Sequence, residues 1–272
     1  MKNYSPSANI ESGITGNEKY IITPNVQKVA GEIVSQYQAG IHSFTIIGTY
    51  GTGKSCFLLK LEQDLIGFDS EVTLIKNLRV LAPVSGVDIL NIVGEYSSLE
   101  QLLIDKLNKK AKGDTAIEIL NNYYNRLKRQ NKMLVIAIDE FGKFLEHAAK
   151  NEVEKELYFM QQLAEFVNMH ERNIILLTTL HQNFSSYASK LSSVQKNEWT
   201  KVKGRFQEVV FAEPVEQLLY MAAESLNNEV AEVNTQAYSI YAMALKCKLI
   251  VPTLKEETTR KLFPLDAFSA VI

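Results

Sequence analysis

The stretch Gly48-Thr49-Tyr50-Gly51-Thr52-Gly53-Lys54-Ser55 constrains this chain more than any other. It fills every fixed position of the pattern G-x-x-x-x-G-K-[ST]. The apolar run Phe44-Thr45-Ile46-Ile47 leads into it and reads as a buried strand. Cys56-Phe57-Leu58-Leu59-Lys60-Leu61-Glu62 follows and reads as a helix with an apolar face. Glycines let the backbone close around an anion, because no Cβ blocks positive φ angles. Successive N–H groups then form an anion nest, and the helix N-terminus adds partial positive charge. In such a loop Lys54 reaches the β- and γ-phosphates and the Ser55 hydroxyl binds Mg²⁺. Cofactor contacts are expected from Gly48, Thr49, Tyr50, Gly51, Thr52, Gly53, Lys54, Ser55 and the adjoining Cys56.

A second stretch, Met133-Leu134-Val135-Ile136-Ala137-Ile138-Asp139-Glu140, is a near-continuous apolar run ending in two carboxylates. Continuous apolar strands belong to parallel sheets covered on both faces. Their C-terminal edges meet the ligand crevice. This is the Walker B pattern. Asp139 is predicted to hold Mg²⁺ through water, and Glu140 to orient or deprotonate the attacking water.

The remaining chain is read around these two strands. Residues 1–17 are polar and aperiodic, and are expected to be a mobile arm. The α/β core is placed at residues 18–212 and a helical lid at 213–272. Thr23-Pro24 reads as a helix start, with Val26, Val29, Ala30, Ile33, Val34 and Tyr37 inward to about Gln38. Val72-Thr73-Leu74-Ile75 reads as a second strand. Asp88 to about Lys110 reads mostly as helix, interrupted at Gly94. After a break at Lys112-Gly113-Asp114, Asp114 is expected to cap a helix through Ala116, Ile119, Leu120, Tyr123, Tyr124 and Leu127. Glu152 to about Met169 reads as an amphipathic helix.

Asn173-Ile174-Ile175-Leu176-Leu177-Thr178-Thr179 reads as another buried strand, with His181 and Gln182 just beyond its tip. A polar residue there can contact a γ-phosphate or position water. Thr179 is favoured, with Thr178 and His181 as neighbours able to hold the role instead. Asn183 to Trp199 is polar, with Tyr187 and Leu191 as anchors. Arg205 precedes a strand, Gln207-Glu208-Val209-Val210-Phe211. It reads either as an arginine finger reaching a neighbouring subunit's γ-phosphate, as an exposed basic turn, or as part of a loop touching nucleic acid. Pro214 opens a helical region with Val215, Leu218, Leu219, Ala222 and Leu226 at helical spacing, and a further helix covers about Val233 to Cys247.

Composition narrows the classes. The chain has 272 residues, 46% hydrophobic and 22% charged, enough for a proper core. Its 29 basic and 31 acidic residues leave net charge −2, which lends no support to nucleic-acid binding without excluding a local basic strip. No apolar run is long enough to cross a bilayer, and the start lacks the apolar core of a signal peptide. Cys56 and Cys247 make no disulfide or metal pattern, which fits a reducing cytoplasm. The apolar end, Phe263 to Ile272, points to a piece of a longer protein or to an end docked on another subunit.

Together these residues resemble AAA+ ATPases of the origin-recognition and STAND-type branch. The resemblance rests on Gly48 to Ser55, Ile138-Asp139-Glu140, Leu177-Thr178-Thr179, Arg205 and the helices after Pro214, over roughly residues 20–230. More narrowly, Tyr20-Ile21-Ile22-Thr23-Pro24, the glycine loop, Thr178-Thr179-Leu180-His181-Gln182 and Lys203-Gly204-Arg205-Phe206 look like the N-terminal ATPase region of large bacterial antiphage-defence proteins. The resemblance implies a three-layer α/β fold with parallel strand order 5-1-4-3-2, strands numbered along the chain. It implies ATP as ligand, oligomers with the site at a subunit boundary, and adenine near Ile21, Ile22 and Val215. No second sensor arginine is evident, since Arg260 is the only arginine in the lid. No guanine-reading N-K-x-D is present. The expected function is Mg²⁺-dependent ATP hydrolysis that controls assembly or a partner effector. The rivals are a nucleotide-gated switch with little turnover, a DNA-loading or translocating ATPase, and a scaffold with a degenerate site.

Overall fold

The computed structural model describes residues 9–12, 20–67, 74, 81, 84–107, 115–226, 235–262 and 269. The chain divides into two compact units, Met1–Ala212 and Glu213–Ile272.

The first unit is built on five parallel strands: β1 (Ser43–Ile47), β2 (Gly86–Val93), β3 (Lys132–Asp139), β4 (Ile174–Leu180) and β5 (Gln207–Val210). They lie in the order β2-β3-β4-β1-β5, which is the expected 5-1-4-3-2 read from the other edge. Residue alternation assigns each side chain to a face. Met133, Val135, Ala137, Ile175 and Leu177 pack with α1 (Pro24–Gln38) and α2 (Lys54–Ile66). Leu134, Ile136, Ile138, Ile174 and Leu176 pack on the other face. That face is covered by α3 (Leu99–Leu107), α4 (Ala116–Arg129), α5 (Gly142–Ala148), α6 (Val153–Val167) and α7 (Ser193–Lys203). The result is three layers, with the central strands dry on both sides.

Local signals explain most element ends. The Thr23 side chain accepts from Val26 N and Pro24 opens α1. Gly67, at φ 73°, ends α2. Thr115 and Glu118 form a reciprocal capping box on α4, so Thr115 is the cap where Asp114 was expected. Asp114 itself, the Val72–Ile75 strand and the Lys112–Asp114 break lie outside the described residues.

The helix expected over Asp88–Lys110 is corrected. Gly86–Val93 is strand β2, paired in parallel with β3 from Gly86 opposite Lys132 to Val93 opposite Asp139. Helix α3 starts only at Leu99. Leu90 and Ile92 pack into one face's core while Val87, Ile89 and Val93 pack into the other. That is a period of two, broken at Asn91, which gave the stretch its helix-like spacing.

The arm expected over residues 1–17 contains an anchored piece. Ile10–Ser12 form a 3₁₀ turn, and Ile10 is fully buried beside α1 and α2. Asn91 Nδ2 donates to Ile10 O (2.8 Å) and to Glu62 Oε2 (3.0 Å), so one amide ties the turn, β2 and α2 together.

The second unit contains α8 (Val215–Leu226), α9 (Thr235–Lys246) and α10 (Glu256–Lys261). Ala244, Ile250 and Leu254 form its small core with Leu219, Tyr241 and Leu245. Tyr241 Oη donates to Leu254 O (2.8 Å), and Lys261 pairs with Glu224 (2.9 Å). Among the described residues no helix is long and apolar enough to cross a membrane.

Glu62 on α2 gives the fold a pH signature. Its side chain is buried, and Oε1 has no hydrogen-bond partner. Burial pushes its carboxyl up to about 7; the Asn91 bond lowers it and the Asp139 charge raises it. The folded state thus keeps a proton that the unfolded chain releases near 4.5. Stability contributed by this group falls as pH rises from about 4.5 to about 7 and is level above that. Urea unfolding at pH 5 and pH 8 checks it. Wild type should lose roughly 2–3 kcal/mol more than Glu62→Gln between the two conditions. Identical pH dependence in the two proteins would show that Glu62 does not hold this proton.

Candidate functional site

The phosphate loop occupies the turn between β1 and α2, at the C-terminal edge of the sheet. Gly51 and Gly53 lie in the left-handed region, at φ 75° and 89°. Gly48 is required for a different reason: a Cβ there would lie 2.2 Å from Phe211 O. Gly48 N donates to Leu180 O (3.0 Å), so the loop starts tied to the end of β4. Thr52 Oγ1 donates to Thr49 O (2.9 Å) inside the loop. Lys54 Nζ turns back onto the loop, donating to Gly48 O (2.7 Å) and Thr49 O (2.8 Å). Burial pushes the Lys54 ammonium below its usual range, while Asp139 and Glu140 pull it back up. Ser55 and Cys56 follow in the first turn of α2, both half-buried.

Asp139 ends β3 and is 5% exposed. Its Oδ1 accepts from Thr179 Oγ1 (2.5 Å) and from Glu140 N (3.0 Å). Glu140 N also donates to Thr179 Oγ1 (2.9 Å). One hydroxyl therefore holds the carboxylate and the backbone of the residue after it. Sheet alternation decides between the two threonines. Thr179 shares the α2 face with Asp139, where the phosphate loop lies. Thr178 points to the opposite face, with its Oγ1 3.0 Å from Thr45 Oγ1 and donating to Phe44 O (3.1 Å).

Glu140 has φ 52°, a left-handed conformation that is strained for a residue with a side chain. The surroundings enforce it. Gly94 N donates to Asp139 O (2.7 Å), and a Cβ on Gly94 would lie 2.0 Å from Glu140 O. Phe141 N donates to Thr179 O (3.0 Å). The Glu140 carboxylate faces solvent and pairs with Lys143, whose ammonium is held above its usual range by that bond.

These residues fit a Mg²⁺-nucleotide. The open nest, the lysine resting on loop carbonyls, and a hydroxyl and carboxylate as hard oxygen ligands match that chemistry. Among the described residues no cluster of three or more His, Cys, Asp or Glu forms a separate metal site.

Arg205 is not brought to this cluster. Its carbonyl accepts from Ser43 Oγ (2.6 Å) and Asn168 Nδ2 (3.1 Å), at the start of β1. That is the opposite sheet edge from the loop, about 13 Å away along a five-residue strand. Its guanidinium pairs with Glu165 Oε1 through Nε (2.9 Å) and Nη2 (2.6 Å). Ile22 is half-buried and packs against the α1–α2 core. Val215 begins α8 of the second unit and is half-exposed.

Sequence reasoning missed Gly94, Gly142, Lys143 and the contacts of Tyr50. A Cβ on Gly142 would lie 2.3 Å from Tyr187 Oη. Gly94 carried a usable signal, a glycine directly after a β-branched run. The ring contacts carried none.

Thr179→Val removes a buried hydroxyl from two partners, whereas Thr179→Ser keeps both bonds. Urea unfolding should show Thr179→Val less stable by about 1–3 kcal/mol and Thr179→Ser close to wild type. Equal loss in both would mean that the methyl packing, not the hydroxyl, holds this position.

No family model and no curated protein matches the chain. Solved structures do. One is the Aeropyrum pernix ORC2 protein in ADPNP–ADP complexes, at 14% identity and TM-score 0.50, covering 76% of this chain and 54% of that one. Another is the same protein in its ADP form, at 14% identity and TM-score 0.51, covering 90% and 63%. The chain thus spans little more than half the length of the proteins it resembles. With its five parallel strands in this order, the first unit shares the α/β fold seen in these structures.

Proposed function

We propose that the chain is an ATP-binding, Mg²⁺-dependent ATP-hydrolysing module whose nucleotide state controls assembly or a partner. The observation that carries this is the convergence of Lys54, Ser55, Asp139, Thr179 and Glu140 on one sheet edge, with Thr179 bridging the Asp139 carboxylate and the Glu140 backbone. The ADP and ADPNP complexes of the similar structures support a nucleotide as ligand.

The roles follow from chemistry. Loop N–H groups bind phosphate oxygens. Lys54 exchanges its loop carbonyls for phosphate oxygens, which are charged and therefore stronger acceptors. Ser55 would hold Mg²⁺ through its hydroxyl and Asp139 would hold it through water, and the ion would supply charge neutralisation for the transferring phosphoryl group. Thr179 keeps Asp139 oriented. Glu140 leaves Lys143 to orient the attacking water and accept its proton. A surface pair of that kind is worth about 0–1 kcal/mol, so the exchange is cheap. Adenine contacts from Ile22 and Val215 rest on the family resemblance, as does a role in antiphage defence.

Arg205 acts, in this reading, on the site of a second copy. Its place at the far sheet edge supports that assignment over a role in its own site. Release of the γ-phosphate then removes what Arg205 holds, and the assembly loosens.

Equilibrium ATP binding and phosphate release test the proposal. Lys54→Ala should abolish binding. Glu140→Gln should retain bound ATP while turnover falls by about 100-fold or more. Wild-type binding by Lys54→Ala would overturn the phosphate role. Wild-type turnover by Glu140→Gln would remove Glu140 from the chemistry.

Mixing tests the shared site. Arg205→Ala and Glu140→Gln proteins, each inactive alone, should regain activity together, because a mixed boundary can pair an intact Glu140 with an intact Arg205. A mixture that co-assembles yet stays inactive would overturn the assignment of Arg205 to the site of a second copy.

A further inference from the structure

Tyr50 stands out in the phosphate loop. It is 75% exposed, yet its ring stacks on His181 with centroids 4.5 Å apart and planes 21° apart. His181 follows directly on β4, the strand that presents Thr179. Its other ring contact is Tyr187, edge-on at 5.7 Å, with Tyr187 Oη 3.2 Å from His181 Nδ1. Burial pushes the Tyr187 hydroxyl above its ordinary range; the Glu146 charge adds to this, while bonds from Gln182 and the His181 N–H work against it. Tyr187 in turn rests on Gly142, two residues past Glu140, where a Cβ would lie 2.3 Å from its hydroxyl.

Four separate pieces of chain are joined in this line: the loop apex, the end of β4, the 3₁₀ turn Phe184–Ala188 and the start of α5. The proposed chemistry uses none of these contacts. Their value lies in what happens to Lys54. Its bond to Thr49 O pins the residue next to Tyr50. When Lys54 turns to a phosphate, that tie is lost; the Thr52 bond to Thr49 O stays within the loop, and the ring stack is the contact that joins the apex to a separate strand end.

We propose that Tyr50, His181 and Tyr187 form a clasp that fixes the phosphate loop to the carboxylate turn, making His181 a positioning residue for hydrolysis. The turnover part of this rests on the ATPase reading above; the structural part does not.

The test uses the full chain. Hydrogen exchange of the nucleotide-free protein reads the structural part. In His181→Ala, the amides of residues 48–55 should exchange about 2–10-fold faster, the range an aromatic pair provides, with β3 amides unchanged. His181→Phe keeps a stacking ring and should restore most of the protection. Tyr50→Ala, at an exposed position that leaves the core intact, should loosen the same amides. Unchanged exchange in both alanine variants overturns the clasp.

Steady-state kinetics with ATP reads the rest. His181→Ala should lower kcat by about 10–100-fold, the scale of a small misplacement, with KM moved less than about threefold. A rise in KM with kcat unchanged would overturn the positioning role. If wild type binds ATP without turnover, the ATPase reading and the positioning role fall together, while the exchange result still decides the clasp.

Discussion

The hydroxyl of Thr179 is the contact on which the site depends. It donates to Asp139 and accepts from Glu140 N, so two neighbouring carboxylate residues are set by one atom. This works only because β3 and β4 are parallel and adjacent, with Ile138 opposite Thr178. Parallel register brings the strand ends to one edge, and alternation then puts Asp139 and Thr179 on the face covered by α2. A shift of one residue in either strand would offer Thr178 instead, which looks into the other core. The apolar strands thus do more than fill the interior. They fix which hydroxyl meets which carboxylate.

The same edge accounts for the glycines. Gly48 and Gly94 each lie where a strand's next residue passes close to a neighbouring backbone: Phe211 O in one case, Glu140 O in the other. Gly51 and Gly53 serve the loop's curvature. Electrostatics follow from this packing. Asp139 is nearly buried, but it has two donors and a lysine charge nearby, so its charged form has partners in place. Lys54, half-buried and drawn by two carboxylates, is held where a polyanion can replace its loop carbonyls.

Much of this was legible in the residues. The loop pattern and the strand ending in Asp139-Glu140 located the site, because both motifs encode backbone geometry as well as chemistry. Strand order followed only from family resemblance, since no pattern in one chain states which strands pair. The misread stretch was Asp88–Val93. β2 is a half-buried edge strand with apolar residues packed toward both faces, so its alternation is weak, and Asn91 inside it serves a long-range tie to Ile10 and Glu62 that no local rule predicts. Helix α7 was passed over although Ser192 and Gln195 carry a capping-box signature. Its apolar content is concentrated in Trp199 and Val202, too few for a clear period. The choice of Thr179 over Thr178 needed the sheet register. Arg205's sequence position left three readings open, and only its hydrogen bonds to the start of β1 separate it from its own loop.

Glu140 shows how the fold divides rigidity from freedom. Its backbone is over-determined: its own N–H is bonded, the flanking Asp139 and Phe141 groups are bonded, and Gly94 closes against its carbonyl. That packing holds a positive φ that costs of order 1–3 kcal/mol when unsupported. Its side chain is the reverse, solvent-facing and tied only by an exposed pair with Lys143. The water-orienting role proposed for Glu140 needs both properties. The rigid backbone keeps the carboxylate's pivot fixed relative to Asp139 and the phosphate loop. The weak surface pair leaves the carboxylate free to exchange Lys143 for another partner at little cost. Reversing the two, with a loose backbone and a tightly paired carboxylate, would leave the charge in place but its position undefined.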